Sequence, residues 1–198
     1  MRKEFTLPAA QLKAAMAFVG SKNEIRHYLQ GVHINPADNR IEATDGHSLF
    51  VANSLYPLDA VDEMILLIDG KIPKDADLAR FFVVENEMQQ LDFCEEPSGY
   101  IWFEDMGGQP VTKANGIKES RLFRIINAEY PDLSRHLIRG NPLQLATIAI
   151  DPALMGRVSA ACDALGVSSV IPMEFFGQSE AVRFHLAEHK YGAETTML

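Results

Sequence analysis

The sequence has little of what a secreted or membrane-bound protein needs. It contains only two cysteines among 198 residues, and neither Cys94 nor Cys162 has metal-ligand spacing. We interpret both as buried free thiols in a reducing cytoplasm. Residues 1–4 lead into a strand pattern instead of an apolar signal-peptide core, and no apolar run is long enough to cross a bilayer. The sequence therefore predicts a cytoplasmic protein without a membrane segment.

Basic residues and catalytic motifs are also scarce. The chain has 18 lysines and arginines against 27 acidic residues, and its net charge of −9 argues against gripping nucleic acid by bulk charge. It has no His-Glu-x-x-His, Cys-x-x-Cys or Gly-x-Ser-x-Gly motif, and residues 70–73 lack P-loop spacing. Asp45 and His47 leave open a hydrolase that uses this pair, but a structural turn or a partner contact fits them better. We expect no enzyme activity, no cofactor and no metal.

What the chain does have is apolar sequence, 47% of its residues, which is enough for a sizeable core. The most informative stretch, residues 26–49, reads as an antiparallel meander. Strands are predicted at Tyr28–Ile34 and Arg40–Thr44, separated by an Asn-Pro-Ala-Asp-Asn turn. Asp45-Gly46 is a strong turn signal, because glycine accepts a positive φ, and a third strand is predicted at His47–Ala52.

The chain also repeats one supersecondary unit, a strand and a helix followed by strands. In the first unit a strand precedes Pro8, which suits a first helical turn, and apolar residues recur at helical spacing up to Gly20. A similar strand, proline and helix recur at 148–166, ending at Gly166. The other predicted elements are a helix at Asp75–Phe82 and strands at Met64–Asp69, Phe82–Glu87, Met88–Glu95, Gly99–Glu104, Ser120–Asn127, Thr147–Asp151, Val170–Phe176, Ala181–Ala187 and Thr195–Leu198. The predicted fold class is α+β.

Three motifs carry a resemblance to a known family. They are Glu4-Phe5-Thr6-Leu7-Pro8; Tyr28-Leu29-Gln30-Gly31-Val32 with Ala43-Thr44-Asp45-Gly46-His47-Ser48-Leu49; and Arg124-Ile125-Ile126-Asn127-Ala128-Glu129-Tyr130-Pro131-Asp132-Leu133. In this order and spacing they closely resemble the middle domain of the bacterial sliding clamp, the β subunit of DNA polymerase III. The resemblance implies a DNA-clamp fold of βαβββ units, with antiparallel sheets and helices on one face. It implies a complete domain at 1–139 and a half-domain at 140–198, hence a shortened clamp, such as a phage would encode.

In that family a hydrophobic groove receives a short linear motif of partner proteins. Such a groove, apolar with a few polar groups and exposed glycine backbone, suits an extended peptide with aliphatic anchors. For Leu29 and Leu49, a place in the ordinary core is an equally good interpretation. By resemblance the groove residues of this chain are Leu29, Thr44, Gly46, His47, Leu49, Pro131, Arg135, His136 and Met197.

The family also places basic and polar residues of its helices toward DNA, where they meet phosphates. Clamps are acidic outside and basic inside, so a net charge of −9 does not exclude duplex DNA as a weak, non-specific partner. For each residue the alternative is a solvated surface charge. By resemblance the DNA-facing residues are Lys13, Lys22, Asn23, Arg26 and Arg157.

These expectations combine into a processivity factor without catalytic activity. It would encircle duplex DNA and tether a DNA polymerase, a clamp loader or another protein with a clamp-binding motif. Since a family ring contains twelve βαβββ units and this chain has three, four copies would close a homotetrameric ring. The alternative is an adaptor or decoy that keeps the peptide groove but forms no ring.

Overall fold

The structure is a computed structural model, and it describes residues 3–59, 61–84, 98–133, 150–167, 171–176, 182–186 and 195–197. These residues form eleven strands, two α-helices and a 3₁₀ helix. The helices are α1 (Ala9–Ala15) and α2 (Pro152–Leu165), with the 3₁₀ helix at His27–Gln30. The strands are β1 (Lys3–Pro8), β2 (Val32–Asn35), β3 (Arg40–Thr44), β4 (Leu49–Asn53), β5 (Met64–Ile68), β6 (Leu78–Val83), β7 (Gly99–Glu104), β8 (Ser120–Ile126), β9 (Met173–Phe175), β10 (Val182–Leu186) and β11 (Thr195–Met197). None of the described helices is long and apolar enough to span a membrane.

All eleven strands belong to one antiparallel sheet. Their order is β1-β6-β7-β8-β5-β2-β3-β4-β11-β10-β9, so β1 and β9 are the two edges. The predicted meander forms its centre: β2 pairs with β3 with His33 opposite Glu42, and β3 pairs with β4 with Thr44 opposite Leu49. The α+β fold class is therefore confirmed, as is the antiparallel pairing.

Helix α2 begins and ends where its sequence signals place it. The side chain of Asp151 caps the helix by accepting the N–H of Ala153 at 2.8 Å, and Pro152 occupies the first turn. Gly166 closes the helix in the left-handed conformation with φ +72°, which glycine adopts without steric cost. The predicted helix after residue 151 is thus confirmed.

Two predicted elements are wrong. Residues 78–83 form strand β6 instead of a helix, because burial alternates along it and its backbone pairs with both β1 and β7. The predicted strand Tyr28–Ile34 begins late, since its first residues form the 3₁₀ helix His27–Gln30. The predicted strands Met88–Glu95 and Thr147–Asp151 fall wholly or largely outside the described residues.

The main core lies between the sheet and the two helices. Leu12 and Phe18 of the first unit share one buried cluster with Val158, Ala161 and Leu165 of α2. We call this side of the sheet the helix face. The third unit contains α2 and the strands β9, β10 and β11. Because α2 packs on α1 and β11 pairs with β4, the apolar stripe of this unit is covered within its own chain. The boundary at 139–140 falls outside the described residues, and the division there stays a prediction.

The cysteine on α2 is only partly buried. Cys162 is unpaired and half-buried, so the expectation of a free thiol holds but that of full burial does not. Burial raises the pKa of its thiol, which keeps it protonated and unreactive. Cys94 lies outside the described residues.

The packing of α2 predicts a sharp difference between two leucine-sized side chains on the same helix. Leu165 is 1% exposed and Met155 is 37% exposed. Leu165→Ala should lower the free energy of unfolding by about 2–5 kcal/mol, because it leaves a cavity against α1. Met155→Ala should change it by less than about 0.5 kcal/mol. Urea unfolding measures both, and equal losses would contradict the docking of α2 on α1.

Candidate functional site

The loop between β3 and β4 is built by its own side chains. The Thr44 hydroxyl donates to the Ser48 carbonyl at 2.7 Å and accepts the Gly46 N–H at 3.0 Å. Gly46 has φ +89°, and a Cβ there would lie 2.9 Å from the Arg26 guanidinium. The positive φ favours glycine at this position, and in the loop 44–48 both Gly46 and His47 are exposed.

The Asp45 carboxylate organises this loop. One oxygen accepts the backbone N–H groups of His47 and Ser48, at 2.9 and 2.8 Å, and the Ser48 hydroxyl at 3.0 Å. The other oxygen forms an ion pair with Arg157 of α2 at 2.7 Å. Burial opposes ionisation, but these hydrogen bonds and Arg157 hold the pKa of Asp45 below its ordinary value.

In this arrangement Asp45 and His47, the pair that left a hydrolase open, have a structural role in the loop. Asp45 contacts His47 through the backbone N–H, and its carboxylate is occupied by loop and helix donors. Within the described ranges, no group of three histidine, cysteine or acidic residues could hold a metal ion. The turn interpretation of Asp45 is therefore the better one.

The segment after β8 crosses the other side of the sheet and contacts the loop. The buried Tyr130 accepts the Thr44 N–H on its hydroxyl at 3.1 Å. Tyr130 and Leu133 form a small second core with Leu49, Val51 and Ile65. Burial raises the pKa of Tyr130 far above its ordinary value, so its hydroxyl keeps its proton. The structure thus brings Thr44, Leu49 and the residue before Pro131 together.

A buried histidine beneath Tyr130 escaped sequence reasoning. The His33 ring is 3% exposed and stacks on the Tyr130 ring at 4.2 Å between centroids. Its Nδ1 lies 2.9 Å from the carboxylate of Glu42, and its Nε2 lies 3.0 Å from that of Glu63. Polar residues at 33 and 42, each flanked by apolar residues in strands joined by a short turn, were the available signal.

The predicted groove residues divide into core and surface. Leu29, Thr44 and Leu49 are buried, at 2%, 7% and 5% exposure, which supports the core interpretation of both leucines. Gly46 and His47 are exposed, and Pro131 is half-buried. Met197 lies in β11 opposite Phe50, and only its backbone is described. Arg135 and His136 lie outside the described residues, so the groove as a whole stays a prediction.

The predicted DNA-facing residues are not equally available. Lys22 and Asn23 are exposed, as is Arg26. However, Arg26 pairs with Glu24 at 2.8 Å, and its hydrogen bonds hold the pKa of Glu24 well below its ordinary value. Arg157 is tied to Asp45.

Lys13, the remaining predicted DNA-facing residue, lies at the end of α1. It is half-buried and lines a cleft of about 160 Å³. Lys74 and the acidic residues Asp77 and Asp163 line the same cleft. The structure therefore does not unite the five predicted residues into one basic surface.

In comparisons with known proteins, the chain matches solved structures but no protein-family model and no curated protein. Among solved structures, DNA polymerase III subunit beta from Borrelia burgdorferi, in complex with a natural product, is 11% identical with a TM-score of 0.55 over 99% of this chain and 63% of its own. The DNA polymerase sliding clamp from Pseudomonas aeruginosa, with ligand, is 14% identical with a TM-score of 0.51 over 98% of this chain and 65% of its own.

These matches extend over nearly the whole chain, yet the chain spans less than two thirds of either clamp. At this level of identity the likeness concerns the fold. The chain has the fold of the bacterial DNA polymerase III sliding clamp.

Proposed function

We propose that this chain is a sliding-clamp-like processivity factor that encircles duplex DNA and tethers a polymerase, a clamp loader or another protein with a clamp-binding motif. The observation that carries the proposal is the placement of α1 and α2 side by side on one face of a continuous antiparallel sheet. In a ring, that face would line the hole and the sheet would form the outer wall. The role needs no catalytic group, in keeping with the structural use of Asp45.

The peptide groove would lie where the loop 44–48 meets the segment of Tyr130. Gly46 offers exposed backbone, His47 an exposed polar ring and Pro131 an apolar surface, over a floor closed by the buried Leu49. Exposed backbone beside apolar surface suits an extended peptide with aliphatic anchors. The bound segment would contact Arg135, His136 and Met197 if the groove follows the family.

The DNA contact would be weak, since few cations of the helix face are exposed. Lys22 and Asn23 would meet phosphates, which carry no sequence information. Acidic residues elsewhere would keep stray nucleic acid away from the outer wall. Retention on DNA would then come from encirclement.

The ring would contain four chains, because three units per chain must supply twelve. The third unit already packs on the first, so the contacts between chains would form at the sheet edges β1 and β9. Exposed edge strands offer unpaired backbone groups to a second chain. The second candidate, a ringless adaptor or decoy, is favoured by the same packing, because a monomer leaves no bare stripe on α2.

A prediction for the groove uses two histidines. The wild-type protein should bind a peptide with a clamp-binding motif at micromolar Kd, about −7 to −8 kcal/mol. His47→Ala should weaken binding by about 1–2 kcal/mol, because it removes a wall of the groove. His27→Ala, an exposed histidine outside the groove, is the control and should leave Kd unchanged. Titration calorimetry decides, and a folded wild type without detectable binding would refute the groove.

A prediction for DNA uses two exposed lysines. Lys22→Glu should weaken duplex binding several-fold and reduce the slope of log K against log salt by about one, because it removes a phosphate contact. Lys113→Glu, at an exposed position in the loop between β7 and β8, makes the same charge change outside the predicted DNA-facing residues. Fluorescence anisotropy in a salt series measures both. Dependence on base sequence, or equal effects of the two variants, would contradict the proposal.

The ring predicts a definite mass. Native mass spectrometry at micromolar concentration should detect four chains, and a charged substitution at the edge, Thr6→Lys in β1, should shift the population to smaller species. Thr112→Lys, at an exposed loop position, is the control. A monomer at all concentrations would exclude the ring and leave the adaptor.

A further inference from the structure

The buried hydrogen-bonded pair of His33 and Glu42 has no part in the proposed function. Both side chains are buried in the middle of the sheet, at 4% and 5% exposure. Burying such groups is costly unless they are hydrogen-bonded, and apolar residues would fill the same space at lower cost. The two His33 nitrogens each face a carboxylate oxygen, Glu42 on one side and Glu63 on the other, so the ring has a fixed plane.

That fixed plane is the support of Tyr130. The two rings are nearly parallel, with 19° between planes and 4.2 Å between centroids. The stack on His33 and the second core around it both restrict where the Tyr130 side chain can lie. The imidazole therefore helps to set the position of the Tyr130 hydroxyl.

The hydroxyl in turn fixes the start of the loop 44–48. It accepts the Thr44 N–H at 3.1 Å, and the Thr44 side chain bonds the Gly46 N–H and the Ser48 carbonyl. The two walls of the proposed groove, the loop and the segment with Pro131, are thus joined by one hydrogen bond. The orientation of that bond depends on the His33 ring.

We propose that His33, held by Glu42, is a positioning residue for the peptide groove: it orients Tyr130, whose hydroxyl fixes the loop 44–48 against the segment of Pro131. The inference rests on the proposed groove and adds the residues that would set its affinity. His33 contacts no bound peptide in this arrangement. Its effect passes through Tyr130.

The test replaces the buried pair as a unit. His33→Leu with Glu42→Leu removes both polar groups together, so no carboxylate is left buried without a partner, while Glu63 is solvated. We expect a melting temperature at or above that of the wild type, and peptide affinity lowered by at least about fivefold, the effect of losing one anchor. The amide of Thr44 should exchange with solvent at least about tenfold faster, because local opening controls exchange.

A control is a further histidine–glutamate pair among the described strands, which is partly exposed and in which Glu174 also pairs with Arg183. His185 and Glu174 are 2.7 Å apart on β10 and β9, at the far edge. His185→Leu with Glu174→Leu should leave Thr44 exchange and peptide affinity unchanged. If it lowers them as much as the first double variant does, the effect is a general loosening of the sheet and the proposal is wrong.

A third variant separates positioning from packing. Tyr130→Phe keeps the ring but removes the hydroxyl, and it should reproduce the losses in affinity and Thr44 protection. Adding His33→Leu and Glu42→Leu to it should cause no further loss, because both act through the same hydrogen bond. Losses that add would overturn the proposal, as would a double variant that binds and exchanges like the wild type. Glu42→Gln keeps an acceptor for His33 and should retain wild-type affinity and exchange; if the double variant does not fold, Glu42→Gln and Tyr130→Phe decide.

The failure of this inference differs from the failure of the groove itself. If the wild type binds no peptide, the proposed groove is refuted, and Thr44 exchange alone tests the positioning. In that case faster exchange in the double variant still supports the path from His33 to the loop. Unchanged exchange refutes it.

Discussion

The packing of α2 against α1 is the contact on which the rest of the architecture depends. A third unit with an apolar helical stripe and an unpaired sheet needs a surface to cover it, and the first unit supplies one through α1 and through β4. Once α2 lies on α1, Arg157 comes within 2.7 Å of Asp45. The helix face and the loop behind the proposed groove are thereby joined by a charge-assisted bond, which is stronger than a neutral one.

Two polar groups hold the loop 44–48 in place, the half-buried Asp45 within it and the buried Tyr130 beside it. Asp45 folds the loop onto its own backbone and onto α2, while Tyr130 holds its first residue against the opposite face of the sheet. Neither group is replaceable by an apolar one without leaving backbone N–H groups unpaired, which costs about 1–3 kcal/mol each. Gly46 follows Asp45 with φ +89°, a conformation that glycine adopts without steric cost.

Local signals predicted much of this fold and little of its polar interior. The helix at Pro152–Leu165 was predictable because its cap, its proline and its terminal glycine are adjacent in sequence. Strand β6 was mistaken for a helix because its pairing with β1 and β7 overrides a helix-like start. The motif at 43–49 located the loop correctly. The role of His33 depends on the cross-strand register and on Tyr130, far away in sequence, which no local pattern encodes.

The ion pairs of the basic residues determine how readily this acidic chain would bind DNA. Of the arginines expected to face the duplex, Arg26 is paired with Glu24 and Arg157 with Asp45, so each would have to break an ion pair to reach a phosphate. Exposed pairs such as the first contribute little energy and exchange readily, while the second also holds the loop in place. Lys22 is exposed, so in the proposed function it would make the least costly contact. If Lys22 were the main phosphate contact among the predicted DNA-facing residues, weak binding would suit a protein that surrounds DNA and moves along it, because tight phosphate binding would hold it in place.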